Sequence, residues 1–155
     1  MINSKRSQAR SAARLATVQA LYQHQMEGTV LAKLIDEFHQ HRLGREIEED
    51  EYGGQIIAEA EVDFFDDLVR GVCSLEAEID KVIELKLANG WTLSRVDKTM
   101  LQILRAGTYE LMRRADVPTP SVINEYVEVA KAFFNDRESK FVNGILDSVA
   151  KEMRS

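Results

Sequence analysis

Apolar residues recur at every third or fourth position through most of this chain, and no stretch sustains alternation at every second position. Period three to four puts side chains on one face of a helix, whereas a half-buried strand needs period two. Only two prolines and eight glycines stand among the 155 residues, so long helices run without breaks. The pattern specifies an all-α fold of seven helices, with short connections that make sequential helices antiparallel neighbours.

The first helix opens at Ser7 or Ser11, carries Leu15, Val18, Tyr22 and Met26 as its apolar stripe, and stops at Gly28. Thr29 caps a second, with Leu31, Leu34, Ile35 and Phe38 buried. From about residue 41 to 57 the pattern fails, and an acidic, mobile connector is expected. A third helix starts near Ala58 and presents Val62, Phe65, Leu68, Val69 and Val72. Ser74 caps the fourth (Leu75, Ile79, Val82, Ile83, Leu87), which Asn89-Gly90 closes. The fifth begins after Thr92 or Ser94 and carries Val96, Met100, Ile103, Leu104 and Leu111. Gly107 inside it costs about 1 kcal/mol against alanine, which calls for close approach of another backbone. Thr119-Pro120 reads as a cap and first helical residue of the sixth helix. Asn135 and Glu138 read as a cap-and-return pair opening the seventh, with Phe141, Val142, Ile145, Leu146 and Val149 as its buried face.

Length fits one domain, or two small helical subdomains sharing a core. With 45% apolar and 30% charged residues the chain is balanced for folding in water. No apolar run approaches the roughly 20 residues of a membrane span, and Lys5 and Arg6 are not followed by the apolar core of an export signal. Cys73, the only cysteine, excludes an internal disulfide and fits a reducing cytoplasm; by pattern it is a small buried residue near a helix end.

The net charge of −6 hides an asymmetry. Lys5, Arg6, Arg10 and Arg14 contribute +4 before the first acid, Glu27, which leaves −10 on the rest. A basic end on an acidic body is a footprint of nucleic-acid binding, and equally of a solvated terminus. Arg6, Arg10 and Arg14 are spaced by four and share a helix face bordering the apolar stripe. In that position their heads stay wet and reach phosphates while their stems cover the core edge.

Tyr22 and Phe141 are the aromatics on which a base could stack, and both also fit as core residues. Lys140 and Asn143 flank Phe141 without an obvious packing duty: lysine meets phosphate and an asparagine amide reads a base edge, or the lysine is simply solvated and the asparagine bonds to nearby backbone. His39 and His41, near Glu37, are two apart and do not face one another on a helix, so no metal site is expected. There is no Gly-rich phosphate loop, no GxSxG and no CxxC. A binding module is expected, without enzymatic activity or cofactor.

Three blocks carry a resemblance. Ala13-Arg14-Leu15-Ala16-Thr17-Val18-Gln19-Ala20-Leu21-Tyr22 resembles the first helix of the NusB family of transcription antitermination factors. Ile103-Leu104-Arg105-Ala106-Gly107-Thr108-Tyr109-Glu110-Leu111 is similar to the family's mid-chain helix. Asp116-Val117-Pro118, Ile123-Asn124-Glu125, Val127, Ala130-Lys131 and Lys140-Phe141-Val142-Asn143-Gly144 follow in the family's order. The match spans nearly the whole chain except the connector.

The resemblance implies a fold of two three-helix subdomains with one added helix, spanning residues 1–155 as a single RNA-binding domain. It implies binding of boxA RNA from ribosomal RNA operons as a heterodimer with ribosomal protein NusE, in support of the RNA polymerase elongation complex. By matching position the RNA contacts are Arg10, Arg14, Tyr22, Lys140, Phe141 and Asn143; Lys5 and Arg6 join them on charge. Asp97, in Val96-Asp97-Lys98, resembles an acid at the NusE-facing surface. Ser11 and Ala12 stand where some members carry further arginines, which implies a modest RNA affinity that depends on the partner. Two rivals stay open: an accessory domain of an RNA-modifying enzyme, against which the missing cofactor motif argues, and a helical interaction module, including a homodimer.

Overall fold

A computed structural model gives the backbone of residues 2–41, 43 and 54–154, and the side chains of 6–41, 43 and 61–154. These residues form seven α-helices and one 3-10 turn, with no strand among them: α1 (Ile2–Glu27), α2 (Leu31–His41), α3 (Gly54–Ser74), α4 (Glu76–Lys86), the turn Leu93–Arg95, α5 (Lys98–Arg113), α6 (Thr119–Phe133) and α7 (Asp136–Met153). The expected all-α, seven-helix fold is the one formed. Most of the acidic connector falls outside the described residues. The chain packs as two units, Met1–Arg70 and Gly71–Ser155, divided within α3.

In the first unit α1 begins well before the expected serines. Ser11 does not cap it; its hydroxyl donates back to the Ser7 carbonyl at 3.0 Å, a mid-helix bond. Gly28 ends the helix as expected, at φ 67°, with its N–H donating to the His24 carbonyl at 3.0 Å. The buried face is rotated from the expected one. Ala9, Ala13, Ala16 and Ala20 line the interior with Thr17, Val18 and Leu21, while Tyr22 and Met26 are exposed. Alanines allow a neighbouring helix to come close, so the small side chains turn inward and the long ones lie on the flank. Phe38 of α2 stacks on Phe65 of α3, centroids 5.5 Å apart.

In the second unit α5 is buried on every side from Met100 to Leu111. It packs against α4, α6 and α7. It starts at Lys98, later than expected, because Asp97 is the cap: its Oδ1 accepts from the N–H groups of Thr99 (2.8 Å) and Met100 (3.1 Å). Its buried side chains include an arginine and a glutamate, and both are matched. The Arg105 guanidinium is bidentate on Asp80, at 2.8 Å for each bond, and lies 3.0 Å from Glu76. The Tyr126 hydroxyl of α6 donates to Glu110, both residues being fully enclosed. Gly107 faces side chains rather than a backbone: an added Cβ would meet Leu146 at 2.9 Å and Tyr126 at 3.3 Å. Gly71, at the end of α3, is tighter still, since a Cβ there would fall within the Tyr109 ring.

Several helix starts differ from the sequence reading. Ser74 is the last residue of α3, and Leu75 precedes α4 without a side-chain cap. Glu76 and Glu78 in its first turn meet the positive end of the helix dipole instead. Pro118, not Thr119, stands before α6, which leaves the Thr119 hydroxyl to other use. Asn135 makes no side-chain cap to α7, so the pair with Glu138 does not form; its carbonyl accepts from the N–H groups of Glu138 and Ser139, at 3.2 Å each.

Arg154, just past α7, joins three helix ends. Its guanidinium donates to the carbonyls of Glu110 (3.0 Å), Leu111 (3.0 Å), Arg114 (2.7 Å) and Val117 (2.6 Å), and to the Thr119 hydroxyl at 3.2 Å. The Glu110 and Arg114 carbonyls also accept from the N–H groups of Arg114 and Val117, so the guanidinium adds a second donor there and serves the Leu111 and Val117 carbonyls as well. Arg154→Ala is expected to lower unfolding free energy by about 2–3 kcal/mol, since several bonds to a charged donor disappear together. Arg154→Lys recovers only part, because an ammonium cannot reproduce the planar fork. Urea unfolding of the three proteins checks this; a midpoint unchanged in Arg154→Ala would refute the clamp.

Candidate nucleic-acid interface

On α1 the helical repeat places Arg6, Arg10 and Arg14 in line, and the structure grades their exposure. Arg6 is exposed, Arg10 is half-buried and Arg14 is only 3% exposed. The guanidinium of Arg10 lies 4.8 Å from the centroid of the Phe64 ring, and that of Arg14 lies 5.0 Å from it. Two cations thus share one aromatic ring of α3, an attraction that grows as water is excluded. The expectation that all three heads stay wet fails at Arg14, whose head is in the interior. Lys5 lies in α1, with its side chain outside the described residues. Phe64 is the residue that sequence reasoning missed here; the signal was an extra aromatic beside Phe65, off the expected stripe.

Tyr22, farther along α1, is 40% exposed, so of its two readings the core one does not hold. Its ring is open to a ligand. This follows from the rotation of α1 that turns the alanines inward.

In the second unit Lys140 and Asn143 are exposed, three residues apart and therefore on one face of α7. Phe141 is half-buried beside them and lines a cavity of about 400 Å³ with Trp91, Val96, Asp97, Met100, Arg137 and Glu138 among its neighbours. Asp97 is exposed, and the structure gives it the capping duty described above. An alanine-sized side chain at Gly144, one residue beyond Asn143, would meet nothing, so the α7 surface is open there. The basic face of α1 belongs to the first unit, and this group belongs to the second.

The remaining candidates have structural duties. Nε2 of His39 lies 2.6 Å from Oδ1 of Asp66, tying α2 to α3. No cluster of metal-ligating side chains occurs among the described residues. Cys73 is half-buried; burial pushes its thiol pKa up, Glu76 adds to that, and Arg105 opposes it. A raised pKa suppresses the thiolate, the reactive form.

Helical units that carry a fixed cationic face and exposed aromatics define a helical binding module. The NusB family model matches residues 11–151. The chain is 59% identical over 151 residues to the transcription antitermination protein NusB of Sphingopyxis alaskensis, covering 97% of this chain and 98% of that protein. It is 62% identical over 146 residues to the NusB of Novosphingobium aromaticivorans, covering 94% and 95%. Among solved structures, T. maritima NusB superposes with a TM-score of 0.75 at 31% identity, over 94% of this chain and 93% of that one. A structure of antitermination factors NusB and NusE in complex with dsRNA shares the fold, with a TM-score of 0.75 at 23% identity over 94% and 98%. The chain belongs to the NusB family of transcription antitermination factors. It is accordingly a non-enzymatic factor. No helix among the described residues is long and apolar enough to cross a membrane.

The exposure gradient on α1 separates two roles by mutation. Arg14→Ala removes a buried cation from its ring and is expected to cost about 2 kcal/mol of stability. Arg6→Ala, on an exposed position, is expected to stay within about 0.5 kcal/mol. Thermal or urea unfolding reads both, and equal effects would refute the gradient.

Proposed function

We propose that this protein binds the boxA segment of ribosomal RNA transcripts jointly with ribosomal protein NusE, and that the assembly acts on the RNA polymerase elongation complex in the cytoplasm. The observation that carries this reading is the cationic face of α1, where Arg10 is held over Phe64 beside the exposed Arg6, in a chain of net charge −6. An acidic protein attracts a polyanion only through such a concentrated patch. A guanidinium already oriented by a ring gives up less freedom when it meets a phosphate. Further support comes from a NusB that shares this fold and occurs with NusE and dsRNA.

In this reading Lys5, Arg6 and Arg10 meet phosphates, and Arg14 acts from beneath by sharing Phe64 with Arg10. Tyr22 and Phe141 supply stacking surfaces, Lys140 a further phosphate contact and Asn143 a base-edge contact. Residues 1–155 make up a single RNA-binding domain in this reading. Neither protein surface needs high affinity alone, because engagement by one raises the effective concentration at the other. Asp97 faces NusE while it caps α5.

Two measurements test this. Labelled boxA RNA is titrated with the protein, with and without NusE, across a range of salt and against a scrambled RNA. Arg6→Ala combined with Arg10→Ala is expected to weaken binding and to reduce the salt slope by about 0.7 for each phosphate no longer neutralised. An unchanged slope removes those arginines from the site, and a NusE-independent homodimer that ignores RNA favours the interaction module. Asp97→Asn keeps a good helix cap and deletes the charge. It is expected to lower NusE affinity about three- to ten-fold with stability unchanged; unaltered NusE binding removes Asp97 from that interface.

A further inference from the structure

Of the glycines whose surroundings the structure describes, all but one have a visible reason to be glycine. Gly28 and Gly90 take positive φ, at 67° and 88°. Gly71 and Gly107 lie against side chains that leave no room for a methyl group. Gly144 has neither reason. It stands inside α7 without a positive φ, and a Cβ added there would meet no described atom within 4 Å. In a helix interior glycine is disfavoured against alanine by roughly five-fold in the folding equilibrium, since it has more backbone freedom to lose. Neither packing nor backbone conformation offsets that loss, which points to something outside the chain.

The place of Gly144 on α7 says what a side chain there would obstruct. Residues three and four apart share a helix face, so Gly144 neighbours Phe141 and Lys140 one turn earlier. Cα–Cβ bonds tilt toward the helix N-terminus, and a side chain at 144 would lean over that turn. Without one, the helix backbone itself is the surface. Lys140 and Asn143 are exposed beside it, and Phe141 is half-buried. Asp147, the next exposed residue on the strip, is paired with Lys151 at 3.0 Å. A polyanion lying along this strip therefore meets a cation, an amide, a bare glycine and a neutralised ion pair.

We infer that the sugar–phosphate backbone of the bound RNA lies directly against α7 at Gly144, closer than any side chain there would allow. The inference rests on the RNA-binding reading and adds Gly144 to it as the residue that sets the distance between helix and RNA. Lys140 and Asn143 have finite reach, so a strand held farther off would loosen from both together. A polypeptide could come as close, but the α7 backbone is already hydrogen-bonded within its helix and offers it no partner. Lys140 does offer one to a phosphate.

Gly144→Ala and Gly144→Gln are compared with the unaltered protein, all at full length. Thermal unfolding reads the free protein. Anisotropy of a fluorescently labelled single-stranded boxA oligonucleotide reads binding, with and without NusE. Gly144→Ala is expected to raise the thermal midpoint by about 2–4 °C, because alanine favours the helix. It is also expected to weaken RNA binding roughly five-fold or more, and Gly144→Gln, longer and uncharged, to weaken it further. Greater stability joined to weaker binding is a pair that a merely structural glycine would not give. If both variants bind RNA as the unaltered protein does, the inference is overturned and the RNA reading stands. A lowered midpoint in Gly144→Ala overturns it too, since the position would then be packed. Variants that keep RNA and lose NusE overturn it in favour of a protein occupant. Absence of RNA binding by the unaltered protein, with and without NusE, overturns both readings.

Discussion

A charged side chain carried into an apolar interior has to find its counterpart there, and α5 carries two. Arg105 is answered by Asp80 and Glu76 from α4, and Glu110 by Tyr126 from α6. Unmatched, either would cost several kcal/mol, enough to cancel much of a small domain's stability. These pairs therefore act less as glue than as a test of register. A helix slipped or turned by one residue would bury the same charges against the wrong neighbours. Apolar packing of Ile103, Leu104 and Leu111 sets no such condition, since one aliphatic surface accepts another. The orientation of α4, α5 and α6 follows from matching.

The same requirement governs the end of the unit. A helix that stops inside a protein leaves carbonyls which neither water nor its own turns can satisfy. At the end of α5, where the Glu110 and Arg114 carbonyls each accept one backbone N–H, Arg154 adds further donors from the far end of the chain and reaches Leu111 too, across about forty residues of sequence. One side chain thereby links the α5 terminus, the turn into α6 and the last turn of α7. Tight packing sharpens the arrangement: neither Gly71 against Tyr109 nor Gly107 against Leu146 leaves room for a methyl group.

How much of this was legible in the sequence depends on the range of the interaction concerned. Helix existence was legible because period is local, and all seven helices lie where apolar spacing puts them. Starts were less so. Thr92, Thr119 and Ser74 suited capping by chemistry, yet Asp97, Pro118 and Leu75 stand at those helix starts, because the position is set by where the chain leaves the previous turn. The face of α1 was misjudged for a related reason: periodicity marks the large apolar residues, whereas close helix contact selected the alanines. Of the candidate site, Arg6, Arg10, Lys140, Asn143 and Tyr22 could be found by charge or by resemblance, and all are exposed or half-buried. Phe64 could not, because its importance lies in what meets it in space.

In the proposed function a weakly cationic helix serves an acidic protein as its binding face. Arg14 spends its charge in the interior, which leaves fewer free cations than the sequence advertises. Arg10 nevertheless rests on the same ring, its guanidinium 4.8 Å from the Phe64 centroid. A mobile arginine loses rotamer freedom whenever it meets a phosphate, at a cost of about 1–2 kcal/mol. An arginine already ordered by a ring has met most of that cost on folding. Few cations suffice when they are ordered beforehand. The compensation has a limit, because order adds no charge, and the long-range attraction of RNA still scales with the number of phosphates neutralised. A partner that contributes further contacts fits such a face better than a denser arginine cluster, whose like charges would repel along α1.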